Sequence, residues 1–310
     1  VKALLASDGY FRVFGISPAM GRTYAPAEDL PGGPNVAVIT CAAEAHLEAF
    51  ETVENVAREK GEILSFQNAA DTAVLNADDP HLALWRGMAK GKVLAFGCGP
   101  QADVRARQLR VGRTGCAAFL ACHGGDAVAC TLSVPGIHQA RNALAALAAA
   151  LAVGMPLEKA VLALNGFEGM AGRFSVSTVR EFTLIDDAYN ASPSSFAAAL
   201  ETMLALPAER RYVIAGDMLE LGAQAETFHR ELGRRLAACG LAGLVTVGGL
   251  AQATGEAAVS HGLPRALWTA CPTPQTAAQT LRPRLLAGDA VLVKGSHGVH
   301  LEECCALLQG

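Results

Sequence analysis

Polar and acidic side chains gather in one stretch of the sequence, "LIDDAYNASPSSF" at residues 184–196. Two adjacent acids, Asp186 and Asp187, follow an apolar run that is typical of a buried strand. Ser192 suits a helix N-cap, and Pro193 suits the first helical position, where its missing N–H would have no partner anyway. The stretch therefore predicts polar groups between a strand and a helix, where open α/β sheets bind ligands. An ordinary turn with capping acids would have the same local pattern.

The composition limits the class of protein. The chain has 310 residues, of which 51% are hydrophobic, so about two domains with sizeable cores are expected. The formal net charge of −4 offers no basic surface for nucleic acid or for an anionic membrane. The nine cysteines form no C-x-x-C pair, which favours small core residues in a reducing cytoplasm. The longest apolar stretch, residues 143–153, is too short to cross a bilayer.

Strand-like and helix-like patterns alternate in the second half of the chain. The strand-like runs are at 181–185, 211–216, 243–249, 265–268 and 289–296. The helix-like patterns are at 193–205, 224–239, 249–260, 273–287 and 299–308. This alternation predicts a mainly parallel sheet covered by helices on both faces, as in a Rossmann-like domain.

The middle of the chain predicts a second α/β unit. Strand-like runs at 35–40, 72–79 and 92–97 precede a Gly-rich, β-prone stretch at 103–135, which indicates a small antiparallel insert. One long helix, closed by Gly154, is expected in "GIHQARNALAALAAALAVG" at 136–154, and a second helix is expected at 156–165. The stretch "NGFEGMAGRF" after them is typical of a linker. The predicted organisation is therefore an N-terminal arm at 1–35, a central domain at 36–168 and a C-terminal domain at 169–310.

Several segments of the chain resemble the Mur ligase family, in the family's order. They are "HLEAFETVENVAREKGEI" at 46–63, "VLNADDP" at 74–80, "GIHQARNALAALAAAL" at 136–151 and the motifs between 172 and 298. Within the family, "DDAYNASP" followed by "GDMLELG" is similar to the members that add D-alanyl-D-alanine to UDP-MurNAc-tripeptide. The resemblance implies a cytoplasmic, monomeric, ATP-dependent amide ligase of peptidoglycan synthesis, with a central ATPase-type domain and a Rossmann-like C-terminal domain.

Such a ligase phosphorylates a carboxylate with ATP, and an amine then attacks the acyl phosphate. The chemistry needs cations that neutralise phosphate charge, so the resemblance implies ATP and Mg²⁺ as cofactors. His46 matches a histidine ligand of Mg²⁺, and Lys60 matches the lysine that the family carbamylates. A free ammonium would repel Mg²⁺, whereas a carbamate offers two oxygens to a hard cation. Without the resemblance, these residues would be interpreted as an exposed loop histidine and a solvated helix lysine.

The resemblance also assigns residues to the nucleotide. Asn142 matches the asparagine that recognises adenine, and Arg173 matches an inter-domain arginine that reaches phosphate. Asp187 matches the acid that holds the ribose, with Tyr189 and Asn190 beside it. The alternatives are a polar helix start, a linker salt bridge and the capped turn described above.

The incoming dipeptide is expected at the loops that follow two further strands of the C-terminal domain. The residues that the resemblance assigns to it are Asp217, Glu220, Lys294, Ser296 and His297. Glu220 could equally be a surface charge.

The chain also departs from the family pattern. A "GxxGKT"-like P-loop, the glutamate ligand expected before His46 and a domain for the UDP-sugar are not found in the sequence, which begins with valine and suggests a truncated ligase. Cys41, Gln139 and His297 replace two asparagines and an arginine. Because backbone N–H groups and a lysine of the P-loop hold the phosphates, we expect this chain to be inactive by itself. A non-catalytic remnant that binds nucleotide weakly is the alternative.

The beginning of the chain resembles a different family. Residues 10–39 are similar to a segment from the extracytoplasmic domain of MacB-like ABC-transporter permeases. This resemblance predicts that residues 1–35 are unrelated to the ligase, and it leaves a transporter-associated domain as a further alternative.

Overall fold

The computed structural model of the chain describes residues 36–310 and places them in two α/β units, each built on a six-stranded sheet. The arm that the sequence predicts at residues 1–35, with most of its permease-like segment, lies outside the described residues. No helix in the described part of the chain is long and apolar enough to cross a membrane.

The first sheet has its strands in sequence order. They are β1 (Val36–Ile39), β2 (Thr72–Asn76), β3 (Lys92–Gly97), β4 (Val104–Val111), β5 (Cys116–His123) and β6 (Asp126–Pro135). β1 to β4 pair in parallel, whereas β4, β5 and β6 pair antiparallel. The stretch 103–135 thus forms the predicted antiparallel strands. It continues the parallel sheet instead of forming a separate insert, because Val104 pairs with Phe96.

The helices of the first unit cover both faces of this sheet. They are α1 (Leu47–Phe50), α2 (Val53–Gly61), α3 (Leu82–Met88), α4 (Ile137–Ala152) and α5 (Leu157–Leu164). Val74 of β2 belongs to the core under α4, while its neighbours Ala73 and Leu75 belong to the core under α3. Alternate strand residues face opposite sides, so a strand that is buried on both faces reads as a continuous apolar run.

The second sheet has the strand order β11-β10-β9-β12-β8-β7. Its strands are β7 (Ser175–Val179), β8 (Phe182–Asp187), β9 (Arg211–Gly216), β10 (Gly243–Val247), β11 (Trp268–Cys271) and β12 (Ala290–Lys294). All pairs are parallel except β7 with β8. The helices are α6 (Pro193–Ala205), α7 (Ala225–Ala237), α8 (Ala251–Ser260), α9 (Pro274–Leu281) and α10 (Glu302–Gln309). The predicted Rossmann-like domain is confirmed.

Two of the predicted elements differ in detail. The strand expected at 265–268 is a 3-10 turn, Arg265–Leu267, and the strand begins at Trp268, which pairs with Leu244. The helix expected at 273–287 ends at Leu281, because Pro283 lacks the N–H that a continuing α-helix would use. The hydrophobic periodicity of both stretches carries no signal for these local interruptions.

The cysteines are less buried than the composition suggests. Cys130, Cys271, Cys304 and Cys305 are buried, four others are half-buried and Cys41 is exposed.

The carboxyl ends of the parallel strands bring the predicted polar residues to one edge of the second sheet. Lys294, the last residue of β12, pairs with Asp187 on one side and with Ala215 on the other. Asp187 and Asp217 therefore leave the same edge of the sheet, on either side of β12. This is the position at which parallel α/β sheets bind ligands.

Candidate active site

A cavity of about 1140 Å³ lies between the two units, against this edge of the second sheet. The linker, α4 and the loops after β8, β9 and β12 all contribute to its walls. The residues assigned to ligands from the sequence that line it are His46, Asn142, Arg173, Asp187, Tyr189, Asn190, Glu220, Lys294, Ser296 and His297. Lys60 and Asp217 are not among its lining residues.

An amide pair from the start of α4 forms part of the wall. The Asn142 Nδ2 donates to Gln139 Oε1 at 3.0 Å, and both side chains line the cavity. Two amides side by side offer donors and acceptors together, which suits the edge of a nucleobase. Leu164, Phe167 and Met170 line the same cavity and offer apolar contact for a flat ring. These apolar residues were not predicted from the sequence, although an aromatic residue in a glycine-rich linker is a usable signal.

The linker contacts the loop after β8 at two points. The Arg173 guanidinium carbon lies 3.9 Å from the centre of the Tyr189 ring, and the Tyr189 N–H donates to the Gly172 carbonyl at 3.0 Å. Gly172 has a φ of 72°. Arg173 remains exposed at the side chain, so its planar fork is available to an anion in the cavity.

Asp187 and Lys294 form a buried ion pair at the back of the cavity. The Lys294 Nζ lies 2.7 Å from Asp187 Oδ2 and also donates to the Asn190 carbonyl at 2.8 Å. The other carboxylate oxygen, Oδ1, accepts the Phe174 N–H at 3.0 Å. Burial raises the pKa of the Asp187 carboxyl and lowers that of the Lys294 ammonium, and the charge of each partner opposes both shifts. Lys294 thus neutralises Asp187 within the protein.

The neighbouring acid, Asp186, faces the other side of the sheet. Its Oδ1 accepts the Ala188 N–H at 3.1 Å. Burial, and then the Asp186 charge, raise the pKa of the Cys305 thiol on α10. Successive residues of a strand point to opposite faces, so only the second acid of the pair can reach the cavity.

The loop after β9, residues 217–221, is held by several of its neighbours. Asp217 Oδ1 accepts the Ala251 N–H of α8 at 2.6 Å, which explains why its carboxylate does not line the cavity. The Ser296 Oγ accepts the Leu219 N–H at 2.9 Å, and the Ser296 N–H donates to the Asp217 carbonyl at 2.9 Å. Asp217 and Ser296 therefore join the loops after β9 and β12.

Glu220 connects the two units directly. Its Oε2 lies 2.5 Å from His46 Nδ1, and its carbonyl accepts the Glu48 N–H at 3.1 Å. His46 and Glu220 both adopt left-handed backbone conformations, with φ of 58° and 62°. The exposed Glu220 that the sequence could equally assign to the surface therefore faces the other unit.

The predicted magnesium ligands do not form a metal site by themselves. The Lys60 Nζ donates to the Cys41 carbonyl at 2.8 Å, so it is a hydrogen-bonded ammonium, and the His46 imidazole is bonded to Glu220. Within residues 36–310, no group of three or more His, Cys, Asp or Glu side chains is placed to hold a metal ion. One imidazole and one ammonium do not fit Mg²⁺, which prefers oxygen ligands.

Two histidines complete the polar lining. The His297 ring lies 6.0 Å from the Tyr189 ring, centre to centre, on the side of the C-terminal unit. His138, which was not predicted from the sequence, has a buried Nδ1 with no hydrogen-bond partner among the described residues. Burial, followed by the charges of Lys294 and Arg141, lowers the pKa of His138, so the cavity contains an uncharged imidazole. Its position directly before Gln139 is the signal that could have identified it.

Comparison with known proteins assigns both units to one family. Residues 24–150 match the Mur ligase middle domain, and residues 172–297 match the Mur ligase glutamate ligase domain. The first match begins inside the segment 10–39 and ends in α4. The chain belongs to the Mur ligase family and carries its middle and C-terminal domains.

Curated relatives at about 30% identity include several ligases that share one name. The UDP-N-acetylmuramoyl-tripeptide–D-alanyl-D-alanine ligase of Escherichia coli (strain K12) is 32% identical over 285 residues, which are 89% of this chain and 60% of that protein. The ligase of the same name from Mycobacterium tuberculosis (strain H37Rv) is 32% identical over 303 residues, which are 91% of this chain and 59% of that protein. The chain thus spans about 60% of the length of these relatives.

Solved structures agree with this placement. MurF from Acinetobacter baumannii superposes with a TM-score of 0.79 at 30% identity, over 89% of this chain and 60% of that one. The MurF ligase from Thermotoga maritima in complex with ADP gives a TM-score of 0.76 at 27% identity, over 89% of this chain and 62% of that one.

Proposed function

We propose that this chain supplies the nucleotide-binding and amine-binding parts of an ATP-dependent ligase that joins D-alanyl-D-alanine to UDP-MurNAc-tripeptide. The observation that carries the proposal is the cavity between the two domains, which gathers ten of the twelve residues assigned from the sequence. The names of the relatives from Escherichia coli and Mycobacterium tuberculosis supply the substrates, and the Thermotoga maritima relative binds ADP. ATP and a UDP-sugar are cytoplasmic metabolites, so we place the reaction in the cytoplasm.

The reaction divides into two steps. A carboxylate oxygen of the tripeptide attacks the γ-phosphorus of ATP, the bond to ADP breaks and an acyl phosphate forms. The amine of D-alanyl-D-alanine then attacks the acyl carbon, and the tetrahedral intermediate expels inorganic phosphate and loses a proton to give the amide. Both steps move negative charge between oxygens, so positioned cations and N–H donors lower the barrier.

Individual residues of the cavity suit parts of these substrates. Asn142 and Gln139 offer amide groups to adenine, and the exposed Arg173 offers its guanidinium to the phosphates. Asp187 is neutralised by Lys294, and its carboxylate already accepts two bonds, so its remaining lone pairs face the ribose. Tyr189 and Asn190 stand beside it in the same wall.

The dipeptide is assigned to the side of the cavity that the C-terminal domain forms. Glu220 is an exposed carboxylate there and suits the ammonium group of an amino acid. His297 lies next to Tyr189 and offers a donor to the dipeptide carboxylate. Ser296, Lys294 and Asp217 hold the loops in place through contacts within the protein.

Only the resemblance to the family supports the inclusion of Mg²⁺ and of a lysine carbamate in this proposal. Carbamylation would replace the Lys60 ammonium by an anion with two oxygens, which removes the chemical mismatch with Mg²⁺. When bound, the metal ion would neutralise the negative charge of the phosphates. The modification would also break the present bond from Lys60 to the Cys41 carbonyl.

Nucleotide binding by the purified chain tests the proposal. Isothermal titration calorimetry should detect binding of ATP and of ADP. Asn142→Leu and Arg173→Met should each raise the Kd by at least about tenfold, because hydrogen bonds to charged or buried polar groups contribute about 1–3 kcal/mol. Arg173→Met should affect ATP more than adenosine. Arg86→Met, on the exposed side of α3, is the matched control and should leave each Kd unchanged. Equal affinities for all variants would overturn the assignment of the cavity.

A further inference from the structure

A buried histidine lies beneath the 217–221 loop. His229 on α7 is 0% exposed and does not line the cavity. Its Nδ1 lies 2.7 Å from the Ala225 carbonyl, which can only accept, so Nδ1 carries a proton. Its Nε2 lies 2.9 Å from the Met218 nitrogen, whose N–H donates to it. The imidazole therefore is neutral, with the proton on Nδ1, because a protonated Nε2 could not accept the Met218 bond.

The residues of the loop that His229 contacts have different surroundings. Its Met218 side chain is fully buried, while Leu219 and Glu220 line the cavity. The Glu220 carbonyl and carboxylate make the contacts to Glu48 and His46 across the domain boundary. The Met218 amide, two residues before Glu220, is held by α7 through its bond to His229.

We propose that His229 is a positioning residue, whose neutral imidazole holds the Met218 amide and thereby fixes the 217–221 loop in the conformation that presents Leu219 and Glu220 to the cavity. A buried amide without its acceptor would lose a hydrogen bond that no water can replace. The loop would then turn the Met218 amide towards solvent and move Glu220 with it. The consequence for the dipeptide rests on the proposed function, whereas the consequence for the loop does not.

The tautomer is testable in the unaltered chain. A two-bond ¹⁵N–¹H NMR correlation of the histidine rings should show His229 with a protonated Nδ1 and a bare Nε2. A protonated Nε2 would overturn the proposal, because it leaves the Met218 N–H without this acceptor. This measurement needs no variant and no ligand.

Variants test the effect on the loop. His229→Leu fills the buried position with an apolar side chain and removes the acceptor, whereas the side-chain Oε1 introduced by His229→Gln can replace Nε2. His261→Gln is the matched control, because the His261 Nδ1 makes the same contact to a carbonyl four residues earlier, at 2.8 Å from Ala257, on an exposed ring. Hydrogen exchange measured by mass spectrometry should be at least about tenfold faster across 217–222 in His229→Leu, the change expected for about 1.4 kcal/mol. It should stay within about threefold of the original chain in the other two variants.

The pattern of these changes distinguishes positioning from general stability. Faster exchange limited to the loop supports the proposal. Unchanged loop exchange in His229→Leu, or equal acceleration in β9 and β12, would overturn it. If His229→Leu does not fold, His229→Gln and the NMR measurement still decide the question.

Ligand binding adds a functional measurement. His229→Leu should weaken the Kd for D-alanyl-D-alanine by about tenfold and leave the Kd for ATP unchanged, and His229→Gln should restore the dipeptide affinity. Equal losses for both ligands would contradict a positioning role. If the unaltered chain binds no dipeptide, the proposed function loses its amine site, while the exchange data still decide the role of His229.

Discussion

Asp187 and Lys294 end two neighbouring parallel strands and form an ion pair with an oxygen–nitrogen distance of 2.7 Å, in which the lysine side chain is 2% exposed. The same carboxylate accepts the Phe174 N–H of the linker. A single acid thus connects both strands with the segment that joins the domains. Loss of either partner should affect the linker as well as the sheet.

The first prediction is that Lys294→Met destabilises the chain by about 3–5 kcal/mol, because it leaves the Asp187 charge buried without a partner. Urea unfolding followed by circular dichroism measures this change. The double variant Asp187→Leu, Lys294→Met should recover part of the loss, since no charge remains buried. Arg234→Met is the control, because the exposed pair of Arg234 with Glu231 should contribute less than about 1 kcal/mol. If Lys294→Met and Arg234→Met lowered the free energy of unfolding equally, the interpretation as a buried ion pair would be wrong.

The second prediction concerns the backbone around Asp217. Gly248 has a φ of 111°, and a Cβ at this position would lie 2.4 Å from the Asp217 carboxylate carbon. Gly248→Ala should therefore cost at least about 2 kcal/mol, since strain and displacement of the carboxylate combine. Gly249→Ala is the matched control, because no atom lies within 4 Å of its added Cβ. Thermal unfolding of both variants checks the prediction, and a Gly248→Ala Tm equal to that of the control would contradict it.

The sequence predicted the elements of the second domain well because their signals are local. Alternating apolar runs, the Ser192 cap and the following proline all depend on neighbouring residues, and the Ser192 Oγ does accept the Ser195 N–H. The resemblance to the family supplied ten of the residues that line the cavity. It could not separate residues that face the cavity from those that hold its loops.

The contacts that the sequence could not predict join distant residues. Asp217 caps α8, 34 positions further along the chain, and Lys294 reaches the Asn190 carbonyl over 104 positions. No sequence motif marks His229, because a buried histidine on an amphipathic helix has the same pattern as an ordinary core residue. The contact between Glu220 and His46 depends on how the two domains pack, which no local pattern encodes.

The third prediction concerns pH and His229. Burial lowers the pKa of His229, although the Ala225 carbonyl and the Asp217 charge oppose the shift. In the unfolded chain the imidazole binds a proton below its ordinary value of about 6.5, while the folded chain still resists protonation there. The stabilisation is therefore complete above about pH 6.5 and decreases as the pH falls towards the lower folded-state value.

Thermal unfolding between pH 8 and 5 measures this effect. The fall in Tm below about pH 6.5 should be smaller in His229→Gln than in the original chain. His138 has a lowered pKa for the same first reason, so the difference between the two curves isolates His229. Parallel curves for the two proteins would show that His229 does not titrate as its burial requires.

The fourth prediction concerns Lys60. If Lys60 is carbamylated, bicarbonate should raise the Mg²⁺ affinity of the chain, and Lys60→Ala should abolish that response. Lys90→Ala is the control, because Lys90 also donates to a backbone carbonyl, that of Ser65, but has no assigned role. Calorimetric titration with Mg²⁺ at fixed ATP, with and without bicarbonate, gives the measurement. Identical titrations in both buffers would show that Lys60 acts only as an ammonium.

The fifth prediction is that the chain of 310 residues binds adenine nucleotides without turning them over. In this reaction the γ-phosphate needs a P-loop lysine and several backbone N–H donors, and no such glycine-rich sequence occurs in these residues. Removal of one preorganised contact costs about 10²–10³ in rate, and several are missing together. These losses need not add simply, but turnover below detection is the expected result.

The assay combines the purified chain with ATP, Mg²⁺, UDP-MurNAc-tripeptide and D-alanyl-D-alanine, and it measures phosphate and pentapeptide product. ADP binding, measured on the same preparation, shows that the cavity is intact and separates a missing phosphate site from a misfolded protein. Arg173→Met should weaken ATP binding while the rate stays at background, since the rate is already limited by the missing donors. Product formation at the rate of a full-length relative would contradict the prediction. It would mean that the chain holds the phosphates without a P-loop.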